Sequence, residues 1–273
     1  MYDDFSADYD RFVDWPGRLA VEMPFIVGRI GNSSYVLDAA CGTGMHAIAL
    51  AQRGYAVAGA DLSVGMIERA RANAEAAGVV ARFEVAGFGE LAGAFTPAPT
   101  PALTPALTPA LSQGEREQRF DAVLCLGNSL PHLLTPADLE AALADFAACL
   151  RPGGLLLIQN RNFDAVLAGR NRWMGPQAHR DDGREWLFVR FYDFNTDGTL
   201  TFNVATLRRD GEGAWMQGVE ATRLRPWPSS ELAEAVGLAG FDVIAAYGHM
   251  SGKPFDPATS DNLILTALLL GNE

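Results

Sequence analysis

The stretch VLDAACGTGMHAIALA, residues 36–51, constrains this chain more than any other. Tyr35 to Ala39 reads as a buried strand interrupted only by Asp38. It runs straight into Cys41-Gly42-Thr43-Gly44, and a helical pattern continues from Met45 to Gln52. Glycines permit the sharp turn and let a ligand approach the backbone without meeting a Cβ atom. The helix that follows aims its unpaired N–H groups back over the turn. A strand joined to a helix in this way needs parallel neighbours and covering helices to bury its faces.

The rest of the chain supplies them. Tyr55 to Ala60 reads as a second strand with Asp61 at its end, and Ser63 caps a helix that stops near Gly78. Ala81–Val85, Asp121–Leu126 and Gly154–Gln159 read as three further strands. Before the last of these, Thr135 and Pro136 open a helix that runs to about Leu150. Ser229 or Ser230 caps a late helix reaching Leu238, and Phe241–Tyr247 and Asn262–Leu270 form a hairpin-like pair at one side of the sheet. Alternation of this kind predicts an α/β fold with a parallel sheet covered on both faces.

Three segments interrupt or extend that scheme. Residues 1–33 predict an N-terminal helical lid bearing Tyr2, Tyr9, Trp15 and Arg18. Trp186–Phe194, Thr199–Arg209 and Gly218–Arg225 predict an antiparallel β flap within residues 161–226, its turns at Thr196-Asp197-Gly198 and at 210–213. Residues 96–118 form a proline-rich insertion, with TPAPTPALTPALTPALS at 96–112. Proline at that density removes amide donors and favours polyproline II or disorder, and a surface loop tolerates such length at small closure cost. The whole chain, 1–273, is expected to form a single domain around these additions.

Charge and cysteine content narrow the partners. The formal net charge is −12 and no basic cluster offsets it, which argues against nucleic acid and anionic membranes. The three cysteines, Cys41, Cys125 and Cys149, show no metal-ligand spacing. A reducing compartment follows, and the acidic, aromatic start MYDDFSADYDRF lacks the order of a signal peptide, so the expected location is the cytoplasm.

The glycine turn and Asp61 together specify a nucleoside. A carboxylate at the end of the second strand can accept from two ribose hydroxyls. The glycines alone leave two ligands open, because Gly42-Thr43-Gly44-Met45-His46-Ala47 also fits the loose dinucleotide pattern G-x-G-x-x-A. Asp38 weighs against the dinucleotide: an acid just before the turn repels a pyrophosphate and suits the ammonium end of an amino-acid ligand.

At this point the sequence resembles the class I methyltransferases that use S-adenosylmethionine (SAM), whose first motif has the form of this D-x-x-C-G-T-G. The resemblance covers nearly the whole chain outside the proline-rich insertion. It implies a Rossmann-like sheet, mostly parallel, with seven strands and the last antiparallel. It implies SAM as cofactor and S-adenosylhomocysteine (SAH) as product, held at Arg18, Asp38, Ala40, Cys41, Gly42, Gly44, Asp61, Leu62, Met66, Gly87, Phe88, Leu126 and His132. Arg18 is the candidate for the SAM carboxylate, and Cys41 belongs to the turn and is not a nucleophile. Where the family often has an acid after the third strand, this chain has Ala86-Gly87-Phe88, so Phe88 either stacks on the base or packs in the core.

Two further segments, FDAVLCLGNSLPHL at 120–133 and RPGGLLLIQNRNFD at 151–164, resemble the glycine and glycine/sarcosine N-methyltransferases. That resemblance implies Asn128 facing the acceptor amine, His132 lining both sites and Arg161 holding the acceptor carboxylate, for which a planar guanidinium is suited. Each has a purely structural alternative: Asn128 capping a turn, His132 packed beside Pro131, Arg161 paired with Asp164. Trp173, Trp186, Tyr192 and Trp215 either roof the acceptor or pack the flap.

The expected reaction is methyl transfer from SAM to the amine of a small amino-acid-like acceptor of the glycine or sarcosine type, and the group is compatible with a homo-oligomer. The alternatives are a SAM methyltransferase acting on another small N or O acceptor, an NAD-linked oxidoreductase, and a SAM-binding protein without catalysis.

Overall fold

The computed structural model describes residues 9–11, 13–33, 35–95 and 119–271; the proline-rich insertion at 96–118 and Tyr2 lie outside them. Chain order after an N-terminal helical turn at 9–11 is α1 (Trp15–Ile30), β1 (Tyr35–Ala39), α2 (Met45–Ala51), β2 (Ala56–Asp61), α3 (Val64–Ala76), β3 (Arg82–Val85) and α4 (Leu91–Phe95). Then come β4 (Phe120–Cys125), α5 (Pro136–Cys149), β5 (Leu150–Arg161) and α6 (Phe163–Gly169). The chain continues with β6 (Gln177–Asp181), β7 (Arg184–Phe194), β8 (Leu200–Asp210) and β9 (Met216–Leu224), and closes with α7 (Ser229–Leu238), β10 (Phe241–Tyr247) and β11 (Asn262–Leu269).

The main sheet has seven strands in the order β10-β11-β5-β4-β1-β2-β3. Strands β3, β2, β1, β4 and β5 are mutually parallel, whereas β11 runs antiparallel to both β5 and β10. The final two strands pair as predicted, with β11 inside the sheet and β10 at its edge. Both faces are covered. Met23 and Ile26 of α1, Ile48 and Leu50 of α2 and Ile67 of α3 pack with Leu124 and Leu157 on one side. Leu139, Leu143 and Phe146 of α5 and Leu232 and Val236 of α7 pack with Val123 and Ile158 on the other. Each such large apolar side chain contributes about 1.5–3 kcal/mol on full burial.

Local chemistry sets the helix starts. Ser63 Oγ accepts from Met66 N at 3.2 Å, and Thr135 and Asp138 form a reciprocal capping box at the start of α5. The late helix α7 departs from expectation. Pro228 occupies its cap position without a side-chain bond, and the Ser229 N–H instead donates to Asp164 Oδ2 at 2.9 Å. A carboxylate from a neighbouring helix thus does the work of a cap.

The flap is a separate antiparallel sheet in the order β6-β7-β8-β9, one strand more than predicted. Strand β6, with the sequence QAHRD, is polar and lies at an edge, so it has no alternating apolar signal. The far end of the flap is fastened to the main body, where Arg225 N donates to Pro131 O at 2.7 Å and Trp227 Nε1 to Leu130 O at 3.3 Å.

Candidate active site

Two connected chambers open at the carboxyl ends of the parallel strands, where ligands bind in sheets of this kind. The larger has a volume of about 570 Å³ and the smaller about 300 Å³. Tyr9, Arg18, Gly127, Asn128 and His132 line both, so these five residues form the boundary between them.

The larger chamber is built on the glycine turn. Gly42 adopts φ +54° and Gly44 φ +80°, in the left-handed region that favours glycine. Asp61 closes the end of β2, its Oδ2 accepting from Gly42 N at 2.9 Å and its Oδ1 from Ser63 N at 3.0 Å. Two backbone donors orient the carboxylate at the mouth of the chamber. Leu62, Met66 and Phe88 supply apolar surface nearby. Phe88 packs edge-on against Phe146, with ring centroids 5.5 Å apart, and the same side chain lines the chamber. Asp145 steadies this loop by accepting from Gly89 N at 2.9 Å and Leu91 N at 2.8 Å.

Asp38 lies at the other end of this chamber. It is buried, and its Oδ2 accepts no hydrogen bond. Burial lifts its carboxyl to about 6, with His46 and Arg18 pulling it down and Asp61 lifting it further. A backbone hydrogen bond from Ala47 also lowers it, but a buried carboxylate with one oxygen unsatisfied still favours a cationic group beside it. The chamber therefore places a carboxylate, an apolar slot and a second, buried carboxylate along one cavity.

Helix α1 brings a buried ion network to the boundary. Arg18 Nε donates to Glu22 Oε2 at 3.0 Å, and its Nη2 to Gln159 Oε1 at 3.3 Å. His46 Nε2 stands 2.6 Å from the same Glu22 oxygen, and Gly127 N donates to Gln159 Oε1 at 3.1 Å. Burial raises the Glu22 carboxyl, but hydrogen bonds and charge from His46 and Arg18 outweigh it, and the net shift is downward. Asp10 ties the N-terminal turn to the site, accepting from Thr43 Oγ1 at 2.6 Å and Trp15 Nε1 at 3.1 Å.

The smaller chamber lies between the main sheet and the flap. Arg161 stands at the end of β5, and its Nε has no hydrogen-bond partner. It does not pair with Asp164, whose carboxylate serves α7. Asn128, at φ +69°, turns its Oδ1 onto Arg161 N at 2.9 Å. His132 ends a short 3₁₀ turn, Leu130–His132, and burial lowers its imidazole to about 4. The neighbouring Asn162 is a clamp: its Nδ2 donates to Ser260 O at 2.8 Å and Pro257 O at 3.0 Å.

Every sequence-derived candidate except Gly44 lines one of the two chambers. Gly44 lies just beneath, against Ala70 and Phe83, so its part is to let the turn pack closely. Of the four flap aromatics only Tyr192 lines the smaller chamber. Trp173 and Trp215 are largely exposed, and Trp186 is buried in a cluster with Phe188 and Val204. Glu22, His46, Gln159, Glu90 and Arg190 also line the chambers; His46 and Gln159 lie within the glycine-turn and 151–164 segments, but nothing in the sequence singled any of the five out as a site residue. Glu90 alone left a trace, an acid three residues after Gly87, whose N–H it accepts at 3.0 Å.

Comparison with known proteins agrees with this geometry. A family model described as a methyltransferase domain matches residues 9–246. The glycine/sarcosine N-methyltransferase of Halorhodospira halochloris is 30% identical over 223 residues, covering 76% of this chain and 74% of its own. The protein of the same name from Parasynechococcus marenigrum (strain WH8102) is 32% identical over 223 residues, covering 76% and 70%. The crystal structure of an S-adenosylmethionine-dependent methyltransferase from Clostridium acetobutylicum shares the fold, with a TM-score of 0.72 at 17% identity over 99% of both chains. The dinucleotide reading of the glycine turn is thereby set aside: the chain belongs to the methyltransferase family and is a SAM-dependent methyltransferase.

Proposed function

We propose that the enzyme methylates the amine of a small amino acid of the glycine or sarcosine type, in the cytoplasm. The observation that carries this reading is the juxtaposition of the chambers: Arg161, with a free Nε, faces a compartment that shares the Asn128–His132 wall with the SAM chamber. The relatives named for glycine and sarcosine support the same acceptor class. The three cysteines are free and buried, and among the described residues no helix is long and apolar enough to cross a membrane.

Bound SAM supplies a methyl group on a positively charged sulfur. Asp61 would hold the ribose, Asp38 the ammonium and Arg18 the carboxylate of the methionine part. The protein's remaining work is to bring a neutral amine to that methyl in line and away from water. Arg161 takes the acceptor carboxylate. Arg161 and Arg190 both line the acceptor chamber, and two nearby guanidinium charges disfavour a protonated amine. His132, neutral above pH about 4, adds no positive charge beside the reacting atoms. The nitrogen's surplus proton leaves to solvent after the N–C bond has formed, so no strong base is required.

The test is transfer of labelled methyl from SAM to glycine, sarcosine and dimethylglycine, beside simple amines without a carboxylate. Transfer to glycine or sarcosine is expected. Transfer only to the carboxylate-free amines refutes the amino-acid reading and leaves the enzyme class intact.

A further inference from the structure

Asn160 is the residue before Arg161 at the carboxyl end of β5. It is 1% exposed, lines the acceptor chamber, and hydrogen-bonds to no protein group through either Oδ1 or Nδ2. Buried amides in folded proteins are almost always satisfied. The amides around it follow that rule. Gln159 receives Arg18 and Gly127, Asn162 reaches three backbone carbonyls, and Asn203 donates to Asp193 Oδ2 at 2.9 Å. Among the described residues, Asn160 is the buried amide with both a donor and an acceptor unspent.

Burying such a group without a partner costs stability, so its presence in this chamber needs a ligand with the complementary pair of functions. An α-amino acid is such a ligand, with an N–H donor and a carboxylate acceptor two bonds apart. Two more polar atoms at this chamber await partners, Arg161 Nε and Gln177 Oε1. The Asn160 backbone is held in register against Leu263 of β11, which fixes where its side chain begins.

We propose that Asn160 is an acceptor-binding residue: its Oδ1 accepts from the amine N–H, and its Nδ2 donates to the carboxylate that Arg161 also binds. This rests on the amino-acid reading above for its second contact only; the first requires nothing beyond an amine. With the amine held through its N–H, the nitrogen lone pair is left for the boundary at Asn128 and His132.

Two variants test it. Asn160→Leu removes both polar functions at similar volume. Asn160→Asp keeps an acceptor for the amine and sets a negative charge against the carboxylate. The Leu variant is expected to lose at least tenfold in kcat/KM for the acceptor, mainly through KM, with the SAH Kd unchanged within twofold. Its melting temperature without ligands is expected to rise, because an uncompensated buried dipole is gone. The Asp variant is expected to lose activity on amino acids and to keep it on a carboxylate-free amine. If the wild-type enzyme methylates only such amines, the amino-acid reading fails, and the Leu variant measured on them still reads the Oδ1 contact. A lower melting temperature with unchanged acceptor KM in the Leu variant makes Asn160 a structural residue and overturns the proposal.

Discussion

The side-chain oxygen of Asn128 accepts a hydrogen bond from the backbone N–H of Arg161 at 2.9 Å, joining the loop after β4 to the end of β5. One bond thus sets the distance between the wall of the SAM chamber and the acceptor chamber's cation. Asn128 reaches it from a left-handed backbone, which Asn tolerates better than most side chains. Asn128→Gly should keep that backbone and lose the bond. Its acceptor KM is expected to rise five- to twentyfold, with SAH affinity within threefold of wild type, as steady-state kinetics and calorimetry will read. An unchanged KM in the Gly variant would show that the bond does not position Arg161.

Asp61 should separate the two chambers functionally. Its carboxylate is aligned by Gly42 N and Ser63 N, and Asn in its place would turn an amide donor against one of those N–H groups. Losing one charge-assisted acceptor to a ligand hydroxyl costs about 1.5–3 kcal/mol. Asp61→Asn is expected to weaken SAH binding by roughly ten- to a hundredfold on that basis. Acceptor KM at saturating SAM should move less than twofold; a larger change in acceptor KM than in SAH affinity contradicts the division of labour.

The elements that carry these residues were legible because periodicity and turn chemistry agree along the main sheet. Asp38 and Asp61 could be read from their places at strand ends, and Arg161, the last residue of β5, only through the resemblance its segment carries. The buried network at the boundary could not. Glu22 and His46 meet across 24 residues, and Arg18 and Gln159 across 141, with no local pattern to announce either contact. Strand β6 was illegible because it is polar and at an edge, and α6 because it is only seven residues long. The flap tryptophans stayed open between the two readings for a related reason: an aromatic residue on a predicted strand carries no sign of which face it takes. Asn160 stood beside Arg161 in plain view, but only its burial and its missing partners mark it.

Gly44 tests the turn as a packing device. A Cβ there would come within 2.9 Å of Ala70 Cβ and 3.0 Å of Phe83 Cζ, on a backbone at φ +80°. Phe83 cannot retreat toward Gly59, where its ring already occupies the place a second Cβ would take. Strain and overpacking each cost about 1–3 kcal/mol. Gly44→Ala should therefore lower stability by about 2–5 kcal/mol in chemical denaturation. SAH binding should weaken along with it as the turn shifts. A variant as stable as wild type would mean that the turn has slack the packing does not show.

Asp38 gives the prediction with a pH axis. Its folded-state pKa of about 6 exceeds its ordinary value of 3.8, chiefly because burial penalises the charge. The native state therefore holds this proton more tightly than the unfolded chain. The resulting stabilisation is complete below pH about 3.8 and is lost as pH rises through 6. At pH 8 the ionised carboxylate, buried and with Oδ2 unsatisfied, is a cost on the order of 2 kcal/mol. Asp38→Asn should remove it, so the ligand-free variant is expected to melt higher than wild type at pH 8 and to lose that advantage toward pH 4. The same substitution takes away the anion proposed above to face the ligand's ammonium. SAH affinity of the wild type should weaken as pH falls below 6, while the Asn variant should bind at least tenfold more weakly at pH 8 and show little pH dependence. Calorimetry across pH 5–8 measures both. An Asn variant that melts lower at pH 8 and binds SAH as tightly as wild type would place the ammonium elsewhere in the chamber.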